Sequence, residues 1–204
     1  MCGSNGKACT NKGDDGRMEI TEVLQESGAL IEGHFLLSSK KHSSHYIQCA
    51  KLFERPELGD LVGETIAQRI EKYRPSLVIG PAMGGIIPAY TVARALNVRA
   101  AFTERVNDAM MLRRGFRINK GERVAVVEDV VTTGRSAMEV IELVKESGGT
   151  VCCVAAVANR SKKLPEFGVP FHYLARLEFP IYEAKDCPLC KQGIPLVKPG
   201  SRES

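Results

Sequence analysis

The sequence predicts an α/β fold, a mainly parallel sheet flanked by helices, and three observations carry that expectation. Short apolar segments without polar alternation recur along the chain: Ser76-Leu77-Val78-Ile79, Val124-Ala125-Val126-Val127, and Thr150 to Ala158 (TVCCVAAVA). Strands covered on both faces read in this way, and parallel sheets are covered on both faces by their crossover helices. Between these strands stand segments at helical spacing: Leu58, Leu61, Val62, Thr65, Ile66 and Ile70, then Ile86 to Leu96, then Met138, Ile141, Leu143 and Val144. Small residues make the strand-to-helix passages, as in Gly80-Pro81-Ala82-Met83-Gly84-Gly85 and Thr132-Thr133-Gly134-Arg135-Ser136. Strands and helices alternating in this order build α/β layers with right-handed crossovers.

Composition fits one globular domain with a real core: 204 residues, 44% hydrophobic and 25% charged. The formal net charge of +4 comes without a Lys/Arg block or an aromatic-interleaved basic stripe, so nucleic acid is not an implied partner. A mild positive excess suits small polyanionic substrates. No apolar run reaches the ~20 residues that cross a bilayer, and the N-terminus lacks a signal-peptide core, so no membrane role and a cytoplasmic location are expected. In that compartment the seven cysteines are reduced thiols.

In chain order, residues 1–17 are polar and glycine-rich without an apolar period, and read as a disordered tail preceding a single domain at 18–204. A helical pattern from Met18 places Ile20, Val23 and Leu24 on one face and ends at Gly28. The apolar stretch Ala29 to Leu37 leads through a polar run to Tyr46 and Ile47. His34, His42 and His45 match no zinc-ligand spacing and read as solvated or hydrogen-bonded side chains. Pro56 to Tyr73 is the first long helix, and Val98 to Phe102 a further strand. Thr103 to Phe116 is polar, basic and about fifteen residues long, a length that usually marks a working loop. A structural β-hairpin with solvated arginines is the alternative. Arg160 lies just past the strand ending at Ala158, and Phe171 to Leu177 is another strand. Cys187-Pro188-Leu189-Cys190 is half of a structural zinc site. With no second pair at ribbon spacing, it reads as a reduced pair or a disulfide formed on handling, with completion across a dimer left open.

The chemistry concentrates in Val124 to Ser136 (VAVVEDVVTTGRS). A strand, a small-residue turn and a helix start aim backbone N–H groups and the helix dipole at one point, with Thr and Ser hydroxyls as further donors. Glu128 and Asp129 stand where the strand should end, and paired acids there suit sugar hydroxyls or a metal ion. A phosphate site beside a diol site describes a phosphorylated ribose. A Walker loop is excluded, because Arg135 rather than Lys follows Gly134. The ordinary alternative is a structural corner with solvated acids.

The acid pair followed by V-V-T-T-G-R-S resembles the phosphoribosyl pyrophosphate signature of type I phosphoribosyltransferases. The Gly33 to Ile47 region, with its F-L-L-S and S-x-x-Y-I elements, resembles the N-terminal hood of the orotate branch, and Gly193 to Arg202 its C-terminal ending. This resemblance implies a core at about 56–180 and a small hood from about 18–50 plus the tail. It also implies transfer of a phosphoribosyl group to orotate, Mg²⁺ as cofactor and a homodimer. On the matching positions, Arg105, Glu128 and Asp129 would be catalytic. Arg105, Glu128, Asp129, Val130, Val131, Thr132, Thr133, Gly134, Arg135 and Ser136 would hold phosphoribosyl pyrophosphate, and Thr132 and Arg160 orotate. Gly80 to Gly85 resembles the family's pyrophosphate loop, Thr103 to Phe116 its mobile catalytic loop, and Tyr46 and Ile47 would lie near the base. No residue is assigned as a direct metal ligand.

The chain departs from the family pattern at several points. Gly84 stands where many orotate enzymes carry Lys, Val106, Ala109 and Met111 where Lys and His are usual, and Ser38 where a hood Lys is common. Arg113, Arg114 and Lys40 are the nearby cations that would substitute. A phosphoribosyltransferase for a purine, or a regulator that binds phosphoribosyl pyrophosphate without catalysis, are the alternatives. Arg160 speaks against the first, because a purine offers no carboxylate.

Overall fold

The computed structural model describes residues 20–37 and 39–199; the expected tail at 1–17, Ser38 and the last five residues of the chain lie outside the described residues. The elements run α1 (Ile20–Glu26), β1 (Leu30–Leu36), β2 (His42–Ile47), α2 (Pro56–Ile70), β3 (Leu77–Pro81), α3 (Ile86–Leu96), β4 (Arg99–Val106), β5 (Ala109–Leu112), β6 (Arg123–Val131), α4 (Arg135–Glu146), β7 (Thr150–Asn159), β8 (Phe171–Arg176), β9 (Ile181–Tyr182) and α5 (Pro188–Lys191). They form two compact units, one from the described residues of Met1–Leu52 and Glu178–Ser204, the other Phe53–Leu177.

In the larger unit six strands pair in the order β5-β4-β3-β6-β7-β8. Every pairing is parallel except β4 with β5. Burial explains the apolar runs: β3 is buried throughout, and β7 is buried at every residue after Thr150. Alternation divides the sheet's side chains between two faces. On one face Leu77, Ile79, Val124 and Val126 pack with Ala137, Val140, Ile141 and Val144 of α4. On α2 and α3 the buried stripes are Val62, Ile66 and Ile70, and Ala89, Val92 and Ala93. These two helices approach so closely that a Cβ on Gly63 would meet the Thr91 backbone at 2.7 Å.

β3 continues through α3 to β4 on one side, while β6 continues through α4 to β7 on the other. The strand order therefore reverses between β3 and β6, and open α/β sheets bind ligands in the crevice outside the carboxyl ends of strands at such a point.

Three expected boundaries move. The strand at Val124 does not stop at Val127 but runs to Val131, because β7 is long enough to pair with it as far as Val131–Asn159. The strand expected over Val98 to Phe102 extends to Val106 and folds back as β5, so most of the expected loop is a β-hairpin. Asn107 and Asp108 both take positive φ (47° and 62°), the backbone of the tight two-residue turn whose twist matches antiparallel strands. α2 ends at Ile70, short of Tyr73, and passes into a 3-10 turn over Glu71–Tyr73 closed by Arg74 in the left-handed region.

The smaller unit is an antiparallel sheet ordered β1-β2-β9. The C-terminal segment lies along β1: the Leu36 N–H donates to the Val197 carbonyl and the Val197 N–H to the His34 carbonyl, each at 2.8 Å. Tyr46 packs against Phe35 within this unit, with ring centroids 5.7 Å apart.

Candidate active site

Glu128 and Asp129 sit in the second half of β6, inside the pairing rather than beyond it. Glu128 is buried at 8% exposure. Burial, reinforced by the neighbouring Asp129 carboxylate, pushes its carboxyl well above the usual range. Burial also raises Asp129, opposed by the Val130 N–H, which donates to Asp129 Oδ1 at 2.7 Å. Two adjacent acids that resist ionisation are poised to take up hydrogen-bond donors or a cation.

The Pro81–Gly85 turn after β3 closes over this pair. It is held by the Ala82 N–H donating to the Thr103 carbonyl at 2.7 Å and the Gly85 N–H donating to the Pro81 carbonyl at 3.0 Å. A Cβ built on Gly84 would overlap Asp129 Oδ2, so a side chain there requires the Asp129 carboxylate or the turn to shift.

After β6 the exposed Thr132 and Thr133 lead into Gly134, whose φ of 79° turns the chain into α4. A side chain at Gly134 would press on Pro165 and Phe167 as close as 2.9 Å. Gly134 at the N-cap has no side chain to cap α4, so the helix's first N–H groups remain directed at the turn. The Thr133 hydroxyl accepts a long 3.4 Å contact from the Arg135 N–H. Val130 to Ser136 thus form a cradle of backbone donors, three hydroxyls and a helix N-terminus.

Arg105 reaches this cradle from the hairpin. Its guanidinium pairs with Glu139 of α4 and donates to the Asp108 carbonyl at 2.7 Å. Arg135 pairs with the same Glu139 from one helical turn earlier, at 2.8 Å. The two guanidiniums, Arg105 first, hold the Glu139 carboxyl below its usual range. Arg114, one of the expected loop cations, is otherwise engaged. It makes a two-point contact with Glu104 at 2.9 and 3.1 Å and lies over the Phe102 ring at 5.8 Å. Phe102 and Glu104 alternate with Arg105 along β4, so Arg114 and Arg105 belong to opposite faces of the hairpin.

Arg160 follows β7 directly, and its N–H donates to the Val131 carbonyl at 2.8 Å, which sets it beside the Val131-Thr132 step. The turn carrying it is fixed by fully buried Asn159, whose Oδ1 accepts from the Ser161 N–H at 2.9 Å and the Ser161 hydroxyl at 2.7 Å. The structure therefore gathers Glu128 to Ser136, Arg105, Arg160 and the Gly84 loop at one end of one sheet. Tyr46 and Ile47 belong to the other unit. Sequence reasoning missed Glu139, Asn159 and Ser161. The i,i+4 spacing of Arg135 and Glu139 signals the first, whereas nothing local signals the others.

Comparison with known proteins shows the family and the fold. Residues 49–176 match the family described as "Phosphoribosyl transferase domain". The chain is 60% identical over 183 residues to an orotate phosphoribosyltransferase of Thermotoga maritima, covering 90% of this chain and 98% of that one. It is 53% identical over 185 residues to one from Caldanaerobacter subterraneus, covering 91% and 97%. Among solved structures, an orotate phosphoribosyltransferase from Aeropyrum pernix is similar with a TM-score of 0.69 and 28% identity, over 78% of this chain and 93% of that one. An adenine phosphoribosyltransferase from Trypanosoma brucei, 17% identical over 80% of this chain and 81% of that one, shares the fold with a TM-score of 0.60.

Proposed function

The chain belongs to the phosphoribosyltransferase family, in its orotate branch, and we propose how its residues divide the work of that transfer. The reaction moves the 5-phosphoribosyl group from phosphoribosyl pyrophosphate to orotate, giving orotidine 5′-monophosphate and pyrophosphate on the way to pyrimidine nucleotides. One observation carries the assignment: a buried acid pair abutting both a glycine turn and an uncapped helix N-terminus at the reversal point of a parallel sheet. That arrangement matches a phosphate, a ribose diol and a leaving diphosphate in adjacent places.

The 5′-phosphate binds in the cradle, on the N–H groups that open α4 and the hydroxyls of Thr132, Thr133 and Ser136, with Val130, Val131, Gly134 and Arg135 shaping it. Glu128 and Asp129 accept hydrogen bonds from the ribose hydroxyls. Those donors offset the burial that raises both carboxyls, favouring their charged forms where positive charge develops on the ribose ring. The Arg160 guanidinium suits the orotate carboxylate bidentately, with Thr132 alongside. Arg105 leaves Glu139 to meet pyrophosphate. The orotate ring nitrogen lies between carbonyls and is acidic already, so no classical general base is assigned. Positioning and charge stabilisation do the catalytic work.

The oxygen donors of Glu128 and Asp129 fit a hard divalent cation such as Mg²⁺ held with the diol, directly or through water. When bound, that ion supplies charge neutralisation for the departing pyrophosphate. A homodimer belongs to the same proposal, and light scattering at twice the 22.3 kDa chain mass tests it.

Ultraviolet loss of orotate in the presence of phosphoribosyl pyrophosphate and Mg²⁺ tests the reaction, with adenine, hypoxanthine and uracil as competitors. Orotate alone should be consumed. A charge-assisted hydrogen bond is worth about 1.5–3 kcal/mol, so Arg160→Ala should lower kcat/KM for orotate by about tenfold to a hundredfold or more. Consumption of a purine in place of orotate would overturn the substrate assignment and leave the cradle chemistry intact.

A further inference from the structure

Away from the cradle, the smaller unit brings together side chains that the reaction does not use. His34 on β1, His42 at the start of β2, Cys187 at the N-cap of the short α5 and Cys190 within it place one ligand atom each within 4.8 Å of all the others. In sequence the histidines and the Cys-x-x-Cys pair stand far apart, with His42 and Cys190 separated by 148 positions. The sheet and the C-terminal segment erase that separation. β1 and β2 pair at Leu36–His42, and the tail is bonded to β1 on either side of Phe35, which delivers Cys187 and Cys190 to the histidines.

We infer that His34, His42, Cys187 and Cys190 form a structural Zn²⁺ site that ties the C-terminal segment to the N-terminal hairpin. The geometry supports it in detail. A tetrahedral site with Zn–N of about 2.1 Å and Zn–S of about 2.3 Å has N···S edges of about 3.6 Å. Here Cys187 Sγ and Cys190 Sγ lie 3.5 and 3.7 Å from His34 Nε2, and Cys190 Sγ lies 3.3 Å from His42 Nδ1. The two ring nitrogens are 2.8 Å apart, as a shared proton would hold them, and an entering cation need only part them slightly. His34 is also oriented by an outer partner: its Nδ1 contacts the Ile194 carbonyl at 2.8 Å, which fixes the proton on Nδ1 and leaves the Nε2 lone pair facing the cluster. Ile194 is placed by the turn after α5, where the Gly193 N–H donates to the Cys190 carbonyl and the Ile194 N–H to the Leu189 carbonyl. One loop therefore supplies a thiolate and the carbonyl that orients a histidine.

The donor set selects the metal. Two thiolates and two imidazoles in a closed tetrahedron suit Zn²⁺ and disfavour Mg²⁺, which takes oxygen ligands in an octahedron. His34, His42 and Cys187 are buried and Cys190 is exposed, so the ion would sit just beneath the surface with no position left for substrate. Four protein ligands mark a structural site. The need for one is visible: the unit's buried apolar residues are few, among them Val23, Leu24, Phe35, Ile47 and Leu52, and small units with little core are commonly held by metals.

The test is zinc stoichiometry of the full chain. Protein purified without chelator is measured by plasma mass spectrometry, and zinc release on adding a thiol-blocking mercurial is followed with a chromophoric chelator. About one zinc per chain is expected, released as the thiols are blocked. Cys190→Ser, at the exposed edge, should weaken zinc binding by more than about a hundredfold, beyond the 10–100-fold effect of losing an outer partner. Cys152→Ser, in the core of the other unit, should retain full zinc. Should Cys190→Ser fail to fold, the wild-type chain loaded with Co²⁺ gives the answer instead, by the visible bands of a tetrahedral sulfur-ligated ion. A chain that carries no zinc and takes up none from one equivalent would overturn the inference and leave a hydrogen-bonded His–His–thiol cluster. Unchanged zinc content and affinity in a folded Cys190→Ser variant would overturn it equally.

Discussion

Asp129 is constrained from two directions, by the Val130 N–H on one side and by the Gly84 backbone on the other. Gly84→Ala should therefore push the turn off the acid pair, lowering kcat/KM for phosphoribosyl pyrophosphate by about tenfold or more at little cost in folding, since a misplacement of about 1 Å costs about a hundredfold. The acids themselves set function against stability. A carboxyl whose folded pKa is raised binds its proton more tightly in the native state than in the unfolded chain. Its stabilising contribution is complete below the unfolded value of about 4.3 and is lost as pH rises through the raised folded value. Glu128→Gln removes that loss, so the ligand-free variant should melt at a higher temperature than the wild type at pH 7–8 while losing activity. A lower melting temperature at that pH would mean that Glu128 is ionised and well compensated in the free protein. At Glu139, a half-buried ion pair is worth about 0.2–1 kcal/mol, so Glu139→Gln should lower the KM for phosphoribosyl pyrophosphate about two- to fivefold by loosening Arg105. A raised KM would show instead that Glu139 holds Arg105 in its working position.

Among the elements, α4 and the β4–β5 hairpin decide the shape of the cradle. Ile141 on α4 is buried against the sheet, and Ile141→Ala should cost about 2–5 kcal/mol, read in chemical denaturation as a lower midpoint. The elements with one strong pattern were legible in the sequence: β3, β6, β7, α2, α3 and α4 each announce themselves by an apolar run or a helical stripe. The hairpin was less so. Arg105, Asn107, Asp108 and Met111 blur the alternation of a half-buried strand, and the segment's length and charge resemble a loop. Its turn residues are nonetheless Asn-Asp, a pair that tolerates positive φ and was the available signal. The cradle was legible residue by residue because Glu128 to Ser136 are contiguous. Its supports were not, since Asp129 against Gly84, and Arg105 against Glu139, are contacts between distant parts of the chain.

For the whole molecule, sheet order explains why the candidate site lies where it does. Reversal between β3 and β6 leaves two turns, Pro81–Gly85 and Val131–Arg135, at the same edge, and parallel pairing of β7 brings Arg160 to it. Alternating strands and helices predict such a sheet but not its order, which depends on long-range pairing. The Cys2His2 cluster illustrates the same limit: each half was visible alone, and only the folded tail joins them. The most direct test of the account is the rate of orotate consumption with phosphoribosyl pyrophosphate and Mg²⁺ by the wild type beside Asp129→Asn. Removing the charge proposed to be catalytic while keeping its shape should leave the fold intact and slow kcat by at least about a hundredfold. Wild-type turnover of orotate that survives unchanged in Asp129→Asn would contradict the assignment of the acid pair to the reacting ribose.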